Sequence, residues 1–150
     1  MTISCNTFCC NDCGLYLDSS VNNSIFNNWV FANINGIYLY SSSNYNSIFR
    51  NNASDNEASI YLHLSDNNTI DNNTCVHNTK GIYLHCASYN TLAYNYLFED
   101  IEDGFYLYFS DNNTFLNTMQ LLIEDMVSIF TALATIQLPE AMFQIIISVG

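Results

Sequence analysis

Gly14-Leu15-Tyr16-Leu17 returns as Gly36-Ile37-Tyr38-Leu39, Ser59-Ile60-Tyr61-Leu62, Gly81-Ile82-Tyr83-Leu84 and Gly104-Phe105-Tyr106-Leu107, a unit of 22 or 23 residues written five times. Each opening is followed by an Asn-Ser/Thr step into an apolar residue: Asn23-Ser24-Ile25, Asn46-Ser47-Ile48, Asn68-Thr69-Ile70, Asn90-Thr91-Leu92 and Asn113-Thr114-Phe115. A fixed period of this length marks a solenoid, in which each turn buries its apolar face only against its neighbours. Within the opening, Ile and Leu alternate with Tyr, so they face one side of a strand and Tyr the other. The Ser/Thr-apolar step is a second strand. Phe8, Val30, Ala53 and Cys75, each six residues before the next opening, indicate a third.

Three short strands per unit make one coil of an all-β parallel β-helix. Left-handed hexapeptide helices have shorter coils, so the right-handed form is expected. Coils stacked roughly 4.8 Å apart turn shared register into vertical columns, and five give a rod of about 24 Å. Asn6, Asn28, Asn51, Asn73 and Asn95 form one column, and Asn11, Asn33, Asn56 and Asn78 another. Asn tolerates the left-handed turn conformation and stacked amides hydrogen-bond along the axis, so both columns read as structural ladders. Ser20, Ser42, Ser65 and Ser110 are assigned to a further corner column. The register slips by one residue between Gly36 and Ile48 and again between Leu92 and Gly104, which places an insertion in a turn each time.

The 150 residues are 49 % apolar, enough for one domain with a core. Arg50 and Lys80 are the only Lys or Arg against 14 acids, a net charge of −12. That excludes nucleic acid, whose phosphates need clustered cations, and disfavours an anionic membrane surface. Met1-Thr2-Ile3 begins no charged and apolar leader, and the register opens in mid-coil. The chain therefore reads as a fragment of a longer repeat protein, with the repeats over residues 1–118. After Asn117 both Asn and Tyr vanish. Gln120, Glu124, Ser128, Thr131 and Thr135 then form a narrow polar stripe, so residues 119–150 are expected to form an apolar helical cap. A membrane span and a non-native tail are the competing readings of that segment.

The repeating Gly-Ile-Tyr-Leu and Asn-Asn-Thr-Ile signature over residues 2–118 resembles right-handed parallel β-helix repeats. It resembles in particular NosD-type periplasmic copper-binding repeats and related carbohydrate-binding and sugar-hydrolase β-helix domains. The resemblance implies an extracellular, cell-surface or periplasmic setting and makes copper a cofactor to consider. It says little about activity, because one repeat serves binders, lyases and hydrolases.

Chemistry is sought first on the outward face of the opening strand. Tyr16, Tyr38, Tyr61, Tyr83 and Tyr106 form one column; Asp18, Tyr40, His63, His85 and Tyr108 form the next. Together they are expected to present a flat aromatic strip suited to sugar rings, although tyrosine is also simply a good strand residue. His63 and His85, one coil apart with Cys86 beside them, are the metal candidates, but copper would want a further ligand. His77 aligns with Asp55 below and with Asp100 or Glu99 above, depending on where the insertion falls. Such an acid-His-acid stack could serve hydrolysis or be a charge ladder at a turn. Cys5, Cys9, Cys10 and Cys13 crowd the first coil without the spacing of a paired zinc site. Sequons at Asn22, Asn52, Asn67, Asn72 and Asn112 arise from the repeat itself.

Three functions follow. A non-enzymatic module that binds glycan along the strip, or acts structurally, is favoured. A NosD-like copper-handling protein is the alternative, and a polysaccharide hydrolase or lyase the second alternative. With Arg50 and Lys80 alone, uronate binding is poorly served.

Overall fold

The computed structural model describes residues 1–121, and it is a parallel β-solenoid. Its 17 strands fall into three parallel sheets running along the axis. The first holds the long strands β3 (Cys13–Asp18), β6 (Asn35–Tyr40), β9 (Ala58–His63), β12 (Lys80–His85) and β15 (Asp103–Tyr108). The second holds three-residue strands: β1 (Thr2–Ser4), β4 (Ser24–Phe26), β7 (Ser47–Phe49), β10 (Thr69–Asp71), β13 (Thr91–Ala93) and β16 (Thr114–Leu116). The third is built likewise from β2 (Thr7–Cys9), β5 (Trp29–Phe31), β8 (Asn52–Ser54), β11 (Thr74–Val76), β14 (Tyr96–Phe98) and β17 (Met119–Leu121). Met119–Leu121 pairs with β14, so the repeat runs three residues past the expected boundary at 118. Otherwise the cap expected over 119–150 lies outside the described residues.

Each coil points two side chains of its long strand and one from each short strand into the core. Ile37, Leu39, Ile48 and Ala53 do this in one coil, and Ile60, Leu62, Ile70 and Cys75 in the next, all fully buried. At roughly 2 kcal/mol for each buried aliphatic side chain, these columns are the main stabilising term. Burial pushes the Cys75 thiol up to about 12, so it behaves as a small hydrophobe. Where the opening residue is Gly, its neighbour coil is close. A Cβ on Gly81 would lie 2.5 Å from the Gly104 carbonyl and 2.5 Å from Leu97, which explains the small residue there.

The corners are held by amides. Asn51 shows the pattern: its N–H and its Nδ2–H both donate to Asn73 Oδ1, at 3.0 Å each, and Nδ2 also donates to the Ile25 carbonyl at 2.9 Å. The Asn11, Asn33, Asn56 and Asn78 column repeats it. Asn23, Asn46, Asn68, Asn90 and Asn113 form a third buried ladder, which their place in the strand-start step had not disclosed. None of these ladder asparagines is left-handed. The positive φ falls one residue earlier, at Asn27, Arg50, Asn72 and Tyr94 beside one ladder and at Ala32, Asp55, His77 and Glu99 beside another. The left-handed residue turns the chain outward, which lets the next side chain point in.

Both insertions can be located. Ser41 and Ser42 are both left-handed, so the corner column is carried by Ser43 rather than Ser42, with Ser20 N–H donating to Ser43 Oγ at 3.1 Å. The second extra residue lies at Ile101–Glu102, between Asp100, which meets Asn78, and Asp103, which pairs with Lys80.

Candidate functional site

The first sheet sets the two outward columns in the expected register, Tyr16-Tyr38-Tyr61-Tyr83-Tyr106 and Asp18-Tyr40-His63-His85-Tyr108. Parallel pairing brings like residues over one another, and the rings use that. Tyr38 and Tyr61 stack at 4.6 Å with planes 2° apart, and Tyr61 and Tyr83 at 4.4 Å and 5°. His63 and His85 stack at 4.5 Å and 3°. At either end the order breaks: Tyr16 tilts by 51° on Tyr38, Tyr106 stands edge-on to Tyr83, and Tyr40 and Tyr108 close the imidazole pair from below and above.

This corrects the flat aromatic strip. In the central block each ring face is covered by the next ring along the axis, and the surface sees edges, hydroxyls and imidazole nitrogens. Sugars pack on ring faces, so the block offers them little platform.

The two columns are also cross-linked. Tyr38 Oη lies 3.3 Å from His63 Nδ1, and Tyr61 Oη lies 3.3 Å from His85 Nδ1. Burial, reinforced by Tyr16 and Tyr40, pushes the Tyr38 phenol up to about 12. Burial, with Tyr83 and Tyr38 close by, raises Tyr61 as well. Both phenols are thus neutral at pH 7. Burial first, then His85, lowers the pKa of His63, so its imidazole is neutral there too. When the imidazole carries its proton on Nδ1, it donates to the phenol oxygen and Nε2 keeps a free lone pair. Two such nitrogens lie one coil apart with nearly parallel lone pairs, so a single ion shared between them needs the rings to tilt toward each other. Among the described residues no three His, Cys, Asp or Glu side chains converge on one point.

The other candidates separate. Glu99, not Asp100, sits over His77 and contacts its Nε2. Asp100 is drawn into the wall, where Oδ1 accepts from Asn78 N–H at 2.9 Å and Nδ2–H at 3.0 Å in the place of a ladder asparagine. The Asp55-His77-Asp100 set is therefore not assembled on the surface. The insertion falls after Asp100, so the acid that leaves the wall is Glu99. Asp55, Glu57, His77, Lys80 and Glu102 line a shallow open cleft of about 540 Å³. Its one lysine is tied to Glu102 and lies 5.7 Å over the Tyr106 ring. Cys5, Cys9, Cys10 and Cys13 are all free thiols, with Cys5 and Cys10 exposed at left-handed positions.

The solenoid and its columns agree with the comparison to protein families, in which the model described as periplasmic copper-binding protein (NosD) matches residues 1–119. No curated protein and no solved structure gave a match. The family match covers more than half of the chain, and the repeats it spans are those the structure shows as stacked coils. The chain belongs to the NosD family of periplasmic copper-binding proteins.

Proposed function

We propose that this β-helix handles copper, with His63 and His85 as the docking point for the ion and Tyr38 and Tyr61 as the residues that orient them. The observation that carries the reading is the parallel imidazole pair, each ring held at Nδ1 by a phenol of the coil before it. Copper is cargo here. Cuprous ion tolerates few ligands and accepts imidazole nitrogen, which matches a two-nitrogen set. Family membership supports an exported, periplasmic setting, and no described helix is long and apolar enough to cross a membrane.

The chain's own residues have three tasks. Burial keeps His63 uncharged, so a lone pair is available at neutral pH. The phenols occupy Nδ1 of each ring, which leaves Nε2 as the donor that faces an incoming ion. Tyr40 and Tyr108 flank the pair and shield it along the axis. The glycan reading rests on Tyr16 and the tilted end rings alone, because the central faces are covered.

Cuprous ion titrated into purified, reduced protein should be taken up at close to one ion per chain. Uptake should vanish in the His63→Ala/His85→Ala variant and weaken roughly 10-fold in Tyr38→Phe/Tyr61→Phe, the usual scale for losing an outer-shell partner. It should also fall as acid protonates the imidazoles, with His63 protonating below the ordinary histidine range. Uptake that survives loss of both histidines would refute the assignment.

A further inference from the structure

The sequons are not equivalent to the other asparagines of the repeat. Most ladder asparagines are buried, and Asn46 and Asn73 are bonded through both the oxygen and the nitrogen of the side-chain amide. Asn22, Asn67 and Asn112 instead occupy one left-handed corner, with φ of 57°, 57° and 55°, and all three are exposed. Among the described residues none of their side-chain amides has a hydrogen-bond partner, and each is followed by a ladder asparagine and a Ser or Thr: Asn22-Asn23-Ser24, Asn67-Asn68-Thr69 and Asn112-Asn113-Thr114.

The strand register Ser24-Ser47-Thr69-Thr91-Thr114 puts these corners in line with Tyr45 and Tyr89 on the coils between them. Tyr45 is 61 % exposed and Tyr89 60 %, and neither contacts another ring among the described residues. The column therefore alternates Asn, Tyr, Asn, Tyr, Asn, with about 4.8 Å between coils. A sugar on Asn67 would stand between two exposed tyrosines, Tyr45 on the coil before and Tyr89 on the coil after. That is the arrangement the strip of the first sheet lacks, and C–H faces of a pyranose pack well there.

We propose that this corner is an N-glycosylation surface, with Asn67 as its principal acceptor and Asn22 and Asn112 as flanking ones. The donor class is an oligosaccharide activated on a lipid pyrophosphate. The amide nitrogen Nδ2 forms a bond to the anomeric carbon, the bond from that carbon to the phosphate oxygen breaks, the lipid pyrophosphate leaves, and one amide proton is lost to solvent. No oxidation or reduction is involved. A glycan at these positions points away from the wall, so the modified chain keeps every ladder and core contact. The exported setting of the family supplies the compartment such a transfer needs.

The test is peptide mass spectrometry of the full chain purified from the exported fraction of its own host. The expected result is an oligosaccharide mass on the peptide containing Asn67. It should be lost in Thr69→Ala and retained in Thr69→Ser, which keeps the sequon hydroxyl. Thr69 is exposed at the head of β10, so neither variant disturbs the core. Recovery of the Asn22, Asn67 and Asn112 peptides without any added mass would overturn the proposal, as would a mass on Asn67 that persists in Thr69→Ala.

Discussion

Replacing Asn73 by leucine is expected to cost on the order of 4 kcal/mol and to unfold the chain at moderate temperature. The side chain is of similar size, and the loss is one of pairing. Asn73 Oδ1 accepts from Asn51 N–H and Nδ2–H, while its Nδ2 donates to the Ile48 carbonyl and to Asn95 Oδ1. Leucine leaves the buried Asn51 N–H without an acceptor and the Ile48 carbonyl without this donor. Each orphaned buried group costs about 1–3 kcal/mol. Asn52→Leu, one residue from the ladder on an exposed strand position, is the control and should shift stability by less than about 0.5 kcal/mol. Urea melts of the two variants decide it. Equal, small shifts would mean that the amide ladders contribute little and the aliphatic columns alone hold the stack.

The opposite sign is expected at Asp100. It stands where the ladder calls for an asparagine, and its Oδ2 is buried without a hydrogen-bond partner among the described residues. In the coils below, the equivalent Nδ2 donates to a third-sheet carbonyl, as Asn78 does to Ala53 and Asn56 to Val30. The Asp100 carboxylate cannot donate to the corresponding Cys75 carbonyl. Burial pushes its pKa up to about 7, against the pull of the Asn78 hydrogen bonds. A carboxyl whose folded value lies above its unfolded value near 4 binds its proton more tightly when folded, so the folded state is favoured at low pH. Stability should fall as pH rises from about 4 and level off above about 7, a loss on the order of 4 kcal/mol. Asp100→Asn restores the donor and removes the charge. It should therefore raise the melting temperature clearly at pH 8 and have little effect near pH 4. A pH-independent shift would show that the carboxylate is not the cause.

These two residues also show how far the sequence can be read. The period and strand alternation place most of the core columns, because burial follows directly from a side-chain period of two, but not Ala87, which is buried at a corner. Columns of Asn51 and Asn73 are visible for the same reason. The third ladder through Asn46 and Asn68 is harder to see, since Asn-Ser/Thr looks like strand entry rather than a buried corner. An insertion is visible only as a count. Nothing in the count says that Ser41 and Ser42 bulge while Ser43 keeps register, or that Glu99 faces out while Asp100 faces in. Those choices depend on which backbone positions turn left-handed. The tyrosine and histidine columns are legible too, but the covered ring faces come from parallel stacking at 4.4–4.6 Å, which one-dimensional register does not reveal.

The copper assignment turns on which atoms hold the ion, and X-ray absorption at the copper edge of the cuprous-loaded chain reads that directly. The account predicts a low-coordinate copper with imidazole nitrogen neighbours, at about 2 Å, and no sulfur shell. Sulfur scattering would move the site to the free thiols of Cys5, Cys9, Cys10 and Cys13 and contradict the role given to His63 and His85.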